Sequence, residues 1–371
     1  MHASDPMFGN CRLFYLISAQ SILRCIATNR MDPCTPPPLT PKSQKDRDEE
    51  LRAYKEYEDI ASTLPRKFLG SFAISKYQNF FYPSLLVSTT IAVQSTFRPR
   101  PSDVILATHP KSGTTWLKSI IFCIVNRARF ALDDDHHPLL HASPHDLFPF
   151  LHSLYEDRTL PIDLLASMPC PRLLATHNPL SSLPPSVVDS GCRIVYLCRD
   201  PKDTVVSKWH YMCQTMASAT KTLPFEELFE LFCEGIIICG PWWDHVLEYW
   251  EESLRRPEKV LFLKYEDMMD NNGANVRKLA DFLDMAFTEE EEKEGVVEEI
   301  VRFCSFEKMR SITVNKEGKH GKSSCHTFRN SAFFRKGKVG DWKEHMSQEM
   351  ARRLDDIVEK KLHDSSLTFR K

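Results

Sequence analysis

Four residues whose side chains could do chemistry each stand at most three positions after a short apolar run. Lys111 and Arg199 are cations of the kind that hold phosphate or sulfate groups. His177 can act as a base, because a neutral imidazole is available near physiological pH. Tyr265 completes the set of four. These types suggest a site that binds an anion and moves a proton, provided that the fold brings them together.

The loop at residues 109–116 is the strongest single signal for such a site. It reads His-Pro-Lys-Ser-Gly-Thr-Thr-Trp, between a β-branched and aliphatic run at residues 104–108 and an apolar helical segment at residues 116–125. Gly113 permits a tight turn, a threonine can cap the helix, and the free amides of the first turn lie near Lys111. The pattern predicts a strand, a loop and a helix that bind a phosphate or sulfate group. An ordinary strand-to-helix connection that happens to contain a lysine is the alternative.

Four apolar runs predict a parallel β-sheet. They occupy residues 104–108, 172–176, 194–198 and 260–263. Continuous apolar strands separated by helical segments are typical of a parallel sheet that helices cover on both faces. The expected fold class is therefore α/β, a P-loop-like three-layer fold with a central parallel sheet flanked by helices. Ligands bind beyond the carboxyl ends of such strands, so the four residues named above are expected along one edge.

The segment after the third strand adds another candidate anion contact. It reads Arg-Asp-Pro-Lys-Asp-Thr-Val-Val-Ser over residues 199–207 and turns at the proline before a helix starts. Arg199 at the strand tip and Ser207 about one turn into the helix can reach one anion, the guanidinium through paired charge-assisted bonds. In the alternative, Arg199 pairs with Asp200 or Asp203 and has only a structural role.

A basic segment near the carboxyl terminus is expected to form a lid. Residues 333–343 close a long polar stretch that begins around Asn315. Between residues 316 and 338 the sequence has one acid, Glu317, and the bases Lys316, Lys319, Lys322, Arg329, Arg335, Lys336 and Lys338. Such a stretch fits a lid over a phosphorylated ligand, and its glycines favour close approach of the backbone to an anion. A solvated surface segment is the alternative.

Composition argues against several classes of protein. The chain has 371 residues, 42% hydrophobic content and a net charge of −2, so it can bury a large core and has no basic field for nucleic acid. Its 12 cysteines include no Cys-x-x-Cys pair and lie mostly in apolar runs, which favours reduced thiols in a reducing compartment. No apolar stretch of the sequence is long enough to span a bilayer. Neither nucleic-acid nor membrane partners are expected.

Residues 1–50 are expected to form a disordered extension, and residues 51–371 a single domain. Residues 1–30 could be a transit peptide, a weak signal sequence or an upstream extension before a start at Met31. The third interpretation is favoured, because Met31 opens a proline-rich polar tail. No linker after residue 100 is long enough to divide the chain.

These motifs resemble those of the cytosolic sulfotransferases, within them the plant branch that sulfates flavonols, steroids and similar small hydroxylated compounds. The resemblance covers roughly residues 60–371. It implies that the 5′-phosphosulfate end of 3′-phosphoadenosine 5′-phosphosulfate (PAPS) is bound by Lys111, Ser112, Gly113, Thr114, Thr115 and Trp116. It further implies that the 3′-phosphate is held by Arg199, Ser207, Arg335, Lys336 and Gly337, and that the adenine lies near Trp116 and Tyr265.

The resemblance places the catalytic base at His177, within an Ala-Thr-His sequence of the plant form. Lys111 is expected to stabilise the bridging oxygen of the leaving group. The implied activity is in-line transfer of the sulfonate of PAPS to a hydroxyl group of a small acceptor, without a metal. The acceptor would be a flavonoid, steroid, phenol or hormone-like metabolite, and the implied location is the cytoplasm.

Two segments depart from the family pattern. The dimerisation signature of many animal members falls on residues 343–352, where its threonine-valine core and terminal glutamate are missing. A monomer or a weak homodimer is therefore expected. Leu180 stands where many plant members have tyrosine, a difference that bears on the acceptor pocket.

A metal site is not expected in the acidic and histidine-rich segment at residues 133–145. His137, His141 and His145 repeat every four residues, but Pro138 and Pro144 interrupt the helix that would align them. By the resemblance, His141 or His145 is a candidate acceptor contact instead.

Two other functions stay open from the sequence. A P-loop phosphotransferase would share the strand, loop and helix, but its lysine follows the last glycine of the loop and an aspartate on a neighbouring strand holds magnesium. Here Lys111 precedes Gly113, and an arginine stands where that aspartate would be. A non-catalytic binder of adenosine bisphosphates is the other alternative, although intact Lys111 and His177 argue against it.

Overall fold

The computed structural model describes residues 43–155, 162–215, 223–320 and 328–369. Most of the expected disordered extension, with Met31, lies outside these ranges, and so does Lys322 of the basic segment. The first helix within these ranges, α1 (Gln44–Thr63), begins before the expected domain boundary at residue 51. It does so because Ser43 and Asp46 form a capping box, in which each side chain accepts a hydrogen bond from the other's backbone N–H.

Strands and helices alternate through the middle of the chain. Within the described residues, the strands are β1 (Arg66–Leu69), β2 (Phe72–Tyr77), β3 (Phe80–Pro83), β4 (Val104–Thr108), β5 (Leu173–Thr176), β6 (Arg193–Cys198), β7 (Val260–Lys264), β8 (Lys319–His320) and β9 (Phe328–Arg329). The helices up to β7 are α1, α2 (Val87–Thr96), α3 (Thr114–Asn126), α4 (Pro138–His141), α5 (Pro144–Leu147), α6 (Leu151–Tyr155), α7 (Ile162–Ser167), α8 (Pro185–Asp189), α9 (Pro201–Thr215), α10 (Phe225–Cys233) and α11 (Trp242–Arg255).

The carboxyl-terminal third is mainly helical. Its helices are α12 (Tyr265–Asp270), α13 (Asn272–Phe282), α14 (Glu289–Lys293), α15 (Val296–Phe303), α16 (Phe306–Ser311), α17 (Thr313–Glu317) and α18 (Gln348–Leu362). Short 3₁₀ segments occupy Ser84–Leu86, Leu180–Ser182, Asn330–Phe333 and Asp341–Glu344. In the part of the chain that the structure describes, no helix combines the length and the apolar character that a membrane span needs.

The central sheet is parallel and has the strand order β5-β4-β6-β7. Val104 pairs with Leu173 on one side and with Arg193 on the other, and Ile194 pairs with Val260. The four strands are therefore in register, and their carboxyl ends lie at one edge. All four predicted strands are confirmed, and so is the α/β class.

Alternating side chains of the sheet pack into two separate core layers. On one face, Ile105 and Tyr196 pack with apolar residues of α9, α11 and α18. On the other face, Leu106 and Val195 pack with those of α3, α13 and α15. This confirms the expected three-layer arrangement.

A second, antiparallel sheet of β1, β2 and β3 was not expected from the sequence. Gln78 and Asn79 have positive φ angles of 47° and 71° and form the two-residue turn between β2 and β3. The backbone N–H of Phe81 donates to the carbonyl of Gly240 at 3.0 Å, and its carbonyl accepts from the N–H of Cys239. These bonds attach the small sheet to the segment before α11.

A buried ion pair joins the amino ends of two central strands, opposite the edge where ligands are expected. Asp103 precedes β4 and Arg172 precedes β5, and their side chains are 0% and 3% exposed. Nε of Arg172 donates to Oδ1 of Asp103 at 2.8 Å, and Oδ2 accepts from the backbone N–H of Arg100 at 2.7 Å. The pair therefore fixes the start of β4 relative to that of β5.

Replacing Asp103→Asn should lower the free energy of unfolding by about 3–5 kcal/mol, because Arg172 then stays buried without its counter-charge. The matched control is Glu230→Gln, which breaks an ion pair with Arg353 whose side chains are 52% and 47% exposed. The control should cost less than about 1 kcal/mol. Urea denaturation of the three proteins measures the difference, and similar losses in the two variants would contradict a structural role for the buried pair.

Candidate active site

The loop between β4 and α3 has the predicted strand, loop and helix geometry. Lys111 and Gly113 have φ angles of 75° and 105°. A Cβ atom at Gly113 would lie 2.8 Å from Cδ2 of Tyr265, so only glycine allows both this backbone conformation and this close approach. Helix α3 begins at Thr114, and the unpaired N–H groups of its first turn are available to a ligand in the loop.

Lys111 lies among several other cations. Its Nζ is 4.0 Å from the ring centroid of Tyr211 in α9. Burial, with the charges of Lys208, Arg199 and Arg335, lowers the pKa of Lys111 to about 7. Cations from the loop, the β6–α9 connection and the carboxyl-terminal segment therefore converge on one region. An anionic ligand would relieve their mutual repulsion.

The ring of His177 at the end of β5 is oriented by the last residue of β4. Its Nδ1 lies 2.8 Å from the backbone carbonyl oxygen of Thr108 and 3.1 Å from the Oγ1 of the same residue. A carbonyl oxygen can only accept, so Nδ1 carries the proton and Nε2 keeps its lone pair. Burial lowers the pKa of His177 well below its usual value, so the imidazole stays neutral. The geometry therefore leaves Nε2 able to accept a proton.

Thr108 extends this hydrogen-bonded chain to the loop. Its Oγ1 lies 2.7 Å from Oγ1 of Thr114, the first residue of α3. His177 and the first turn of α3 are thus held at fixed positions relative to each other. Nothing in the sequence singles out Thr108 beyond its position at the end of a strand.

Arg199 pairs with an internal carboxylate and also keeps a free donor. Its Nη2 donates to Oδ2 of Asp203 at 3.2 Å and to the carbonyl of Lys338 at 2.6 Å. Its Nε is buried without a hydrogen-bond partner among the described residues, as are Nε and Nη1 of Arg335 and Oγ of Ser112. Leaving a buried donor unpaired costs on the order of 1–3 kcal/mol, so these groups mark places where a ligand could bind. The structural pairing with Asp203, an alternative in the sequence analysis, is present alongside that free donor.

The basic carboxyl-terminal segment folds over the tip of β6 and is anchored there. Asp203 accepts hydrogen bonds from the backbone N–H groups of Gly340 at 2.8 Å and Trp342 at 2.9 Å. Gly337 has a φ of 63°, and a Cβ atom on it would lie 2.5 Å from Phe306. This glycine is therefore required by backbone conformation and packing.

Lys336 differs from its neighbour Arg335 in its partners. Its Nζ donates to Asp341 at 2.6 Å and to Glu344 at 2.5 Å. Both acids belong to the same segment, so the ammonium of Lys336 helps to hold that segment in shape. Arg335 also pairs with Asp341, but through Nη2 alone.

The aromatic residues proposed near the nucleotide lie together. Tyr265 is 5% exposed, and its ring meets that of Trp116 edge to face at 5.4 Å. The guanidinium carbon of Arg199 is 4.6 Å from the Tyr265 ring centroid. Ser207 lies buried in α9. The structure thus links Trp116, Tyr265 and Arg199 directly.

Aromatic side chains form a wall beside His177. The ring of Phe150 lies 4.6 Å from that of His177 and 5.5 Å from that of His145, and His145 contacts Phe333 at 4.1 Å. Of the two histidines expected near the acceptor, His145 therefore lies at the wall. The Nε2 of the other, His141, lies 2.7 Å from the carbonyl of Asp135 in its own segment.

Lys208 and Tyr211 were missed in the sequence analysis. Lys208 is 7% exposed, and burial lowers its pKa to about 8. Both residues follow Ser207 in α9, one directly and one after a helical turn. The i, i+4 spacing from Ser207 to Tyr211 was the available signal, because residues at that spacing share a helix face.

The chain matches one protein family and resembles two relatives in particular. Residues 101–366 match the family described as the sulfotransferase domain. The chain is 42% identical over 317 residues to flavonol 3-sulfotransferase of Flaveria bidentis, an alignment that covers 84% of this chain and 100% of that protein. It is 41% identical over 319 residues to cytosolic sulfotransferase 15 of Arabidopsis thaliana, covering 85% and 87% of the two chains.

Solved structures agree with these relatives. A crystal structure from Arabidopsis thaliana, assigned as a steroid sulphotransferase, superposes with a TM-score of 0.66 at 35% identity and covers 90% of this chain and 99% of that chain. A mouse sulfotransferase complexed with PAP superposes with a TM-score of 0.61 at 26% identity, covering 79% and 95%. These matches confirm the resemblance seen in the sequence and disfavour the phosphotransferase alternative. The chain therefore belongs to the sulfotransferase family, among the plant cytosolic sulfotransferases.

Proposed function

We propose that the protein transfers the sulfonate of PAPS to a hydroxyl group of a small acceptor, with His177 as the general base. The observation that carries the proposal is the hydrogen bond from Nδ1 of His177 to the Thr108 carbonyl, because it leaves Nε2 able to take a proton. One relative is named as a cytosolic sulfotransferase, and the other is named for a flavonol. The proposed acceptor is accordingly a flavonoid, steroid, phenol or hormone-like metabolite, and the proposed location is the cytosol.

The residues present fit the donor nucleotide. Buried unpaired donors on Arg199 and Arg335 suit a phosphate, and PAP, which the mouse relative binds, is the nucleotide that remains once PAPS has lost its sulfonate. We assign the 5′-phosphosulfate to Lys111, Ser112, Gly113, Thr114 and Thr115. We assign the adenine to Trp116 and Tyr265, and the 3′-phosphate to Arg199, Ser207, Arg335, Lys336 and Gly337.

The residues of this chain divide the chemistry between them. The donor supplies an activated sulfonate on a phosphate leaving group. Nε2 of His177 takes the proton of the acceptor hydroxyl, and the ammonium of Lys111 stabilises the negative charge that develops on the leaving oxygen. Phe150 and Phe333 limit access of water to the reacting atoms. The proposal involves no metal ion, and it is compatible with a monomer or a weak homodimer.

His177→Ala should lower the turnover of sulfonate transfer by about two to four orders of magnitude, the usual range for loss of a general base. Affinity for adenosine 3′,5′-bisphosphate should stay close to that of the unmodified protein, because the imidazole faces the acceptor. The measurement is transfer of radiolabelled sulfonate to a panel of phenols, flavonoids and alcohols without divalent metal. His363→Ala is the matched control, since His363 is 78% exposed and should have no effect.

The acidity of the acceptor makes this test sharper. A nitrophenol that ionises unaided should keep far more of its rate in His177→Ala than an aliphatic alcohol does. Equal losses for the two acceptors would mean that His177 positions the site and that the base lies elsewhere. Magnesium-dependent transfer of the γ-phosphate of ATP, without sulfonate transfer, would favour the phosphotransferase instead.

Arg199→Ala should weaken binding of adenosine 3′,5′-bisphosphate by about 2–5 kcal/mol, because it removes a buried charged contact to the 3′-phosphate. Binding of adenosine 5′-monophosphate, which lacks that phosphate, should hardly change. Arg193→Ala is the control, since Arg193 lies at the opposite end of β6 and pairs with Asp284. Calorimetric titration gives all these affinities, and equal losses for both nucleotides would assign Arg199 a structural role only.

Binding of adenosine 3′,5′-bisphosphate should weaken about fivefold between pH 7 and pH 8. The pKa of Lys111, lowered to about 7, means that the ligand-free protein loses this ammonium proton over that interval. Lys111 must then regain this proton when the anion binds, and the affinity for the anion therefore falls as the pH rises. Lys111→Met should bind more weakly at pH 7 and show a flatter pH dependence, and an unchanged slope in this variant would contradict the assignment.

A further inference from the structure

Lys118 is a buried lysine that the proposed mechanism does not use. It lies in α3 and is 0% exposed. Its Nζ is 3.0 Å from Nδ1 of His145 and 3.6 Å from the ring centroid of Phe150. Its hydrogen-bond partner is therefore an imidazole rather than a carboxylate.

Burying a lysine side chain costs free energy of folding unless its amine makes a useful interaction. Burial lowers the pKa of Lys118 well below its usual value. A leucine or methionine could fill the space beside Phe150 without this cost. The ionisable groups whose charges act on Lys118 or are acted on by it are His145, Asp146, His152 and His177.

The hydrogen bonds of His145 connect Lys118 to the nucleotide loop. Nε2 of His145 lies 3.0 Å from Oγ1 of Thr115, on the opposite side of the ring from Lys118. A lysine amine can donate a hydrogen bond whether it is charged or neutral, and when it donates to Nδ1 of His145, Nε2 of that ring carries the proton. Nε2 then donates to Thr115, whose own hydroxyl proton stays free for an anion. If the hydroxyl of Thr115 instead donated to Nε2 of His145, only the lone pairs of its oxygen would face that anion.

We propose that Lys118 and His145 form a relay that holds the hydroxyl of Thr115 as a hydrogen-bond donor to the 5′-phosphate end of the sulfonate donor. The relay rests on the proposed function, because it needs an anionic group beside Thr115. Lys118 and His145 touch neither substrate in this scheme and are positioning residues. Lys118 also packs on Phe150, which contacts His177, so one side chain supports both the donor loop and the wall beside the base.

The test compares two nucleotides and two genetic backgrounds. Lys118→Met keeps the apolar stem and should weaken binding of adenosine 3′,5′-bisphosphate about tenfold. Binding of adenosine 3′-monophosphate, which lacks the 5′-phosphate, should be almost unchanged. In a Thr115→Val background, Lys118→Met should cause no further loss, because the relay no longer reaches the ligand. Lys278→Met on the exposed side of α13 is the matched control.

A second readout follows the proton on His145. In the complex with adenosine 3′,5′-bisphosphate, ¹⁵N nuclear magnetic resonance should show the proton of His145 on Nε2. If Lys118→Met does not fold, His145→Phe serves instead, since it keeps a ring beside Phe150 and breaks the relay. It should show the same selective loss for the bisphosphate.

The outcomes separate the relay from the proposed function. Equal weakening for the two nucleotides, an additive loss in the Thr115→Val background, or a proton on Nδ1 of His145 would overturn the relay alone. If the unmodified protein bound no adenosine bisphosphate at all, the proposed function would fail first and the relay with it.

Discussion

The carboxylate of Asp203 is the interaction on which the assembly of the site depends. It is fully buried, pairs with Arg199, and accepts hydrogen bonds from the backbone of Gly340 and Trp342. A buried carboxylate is stable only when several donors satisfy it, and these donors come from two distant parts of the chain. The strand tip and the carboxyl-terminal segment are consequently one structural unit. A ligand that contacts Arg199 meets Arg335 in a geometry that this carboxylate has already set.

The electrostatics of the site explain why an anion belongs there. The chain as a whole is nearly neutral, yet burial and the nearby charges of Lys208, Arg199 and Arg335 together lower the pKa of Lys111. Asp203 and Asp341 offset part of this excess, and both are already committed to backbone or side-chain partners. The neighbouring cations nevertheless still disfavour the charged form of Lys111. Binding of a nucleotide with two phosphate groups would offset that repulsion.

The sequence predicted the parts of the fold that depend on continuous apolar runs. All four central strands could be predicted, together with the polar residues that follow them, because a strand buried on both faces is apolar throughout. Strands β1 and β2 could not be read, since they are short and half exposed and lack strict alternation. The start of α1 could not be predicted from composition, because a single capping box decides it.

Side chains that act within helices were harder to find than those at strand ends. A residue that follows a parallel strand lies at the carboxyl edge of the sheet whatever its neighbours are. Lys111, His177 and Arg199 could therefore be recognised as candidate site residues. Lys118 lies within an apolar helical run, and the sequence does not show that its end meets a histidine from a separate segment. The partners of His145, and those of Asp203 in the carboxyl-terminal segment, raise the same difficulty, because they are set by the packing of distant elements.

The aromatic wall beside His177 comes from different segments than most of the nucleotide contacts. Phe150 and His145 belong to the short elements between α3 and β5, and Phe333 lies in the 3₁₀ segment after β9. Substitutions in these short elements can reshape the wall while β4, β6 and α9 keep their positions. Under the proposed function, changes at Phe150 and Phe333 can therefore alter acceptor preference while Lys111 and Arg199 keep their places at the donor, and these two positions are where new substrate ranges can evolve.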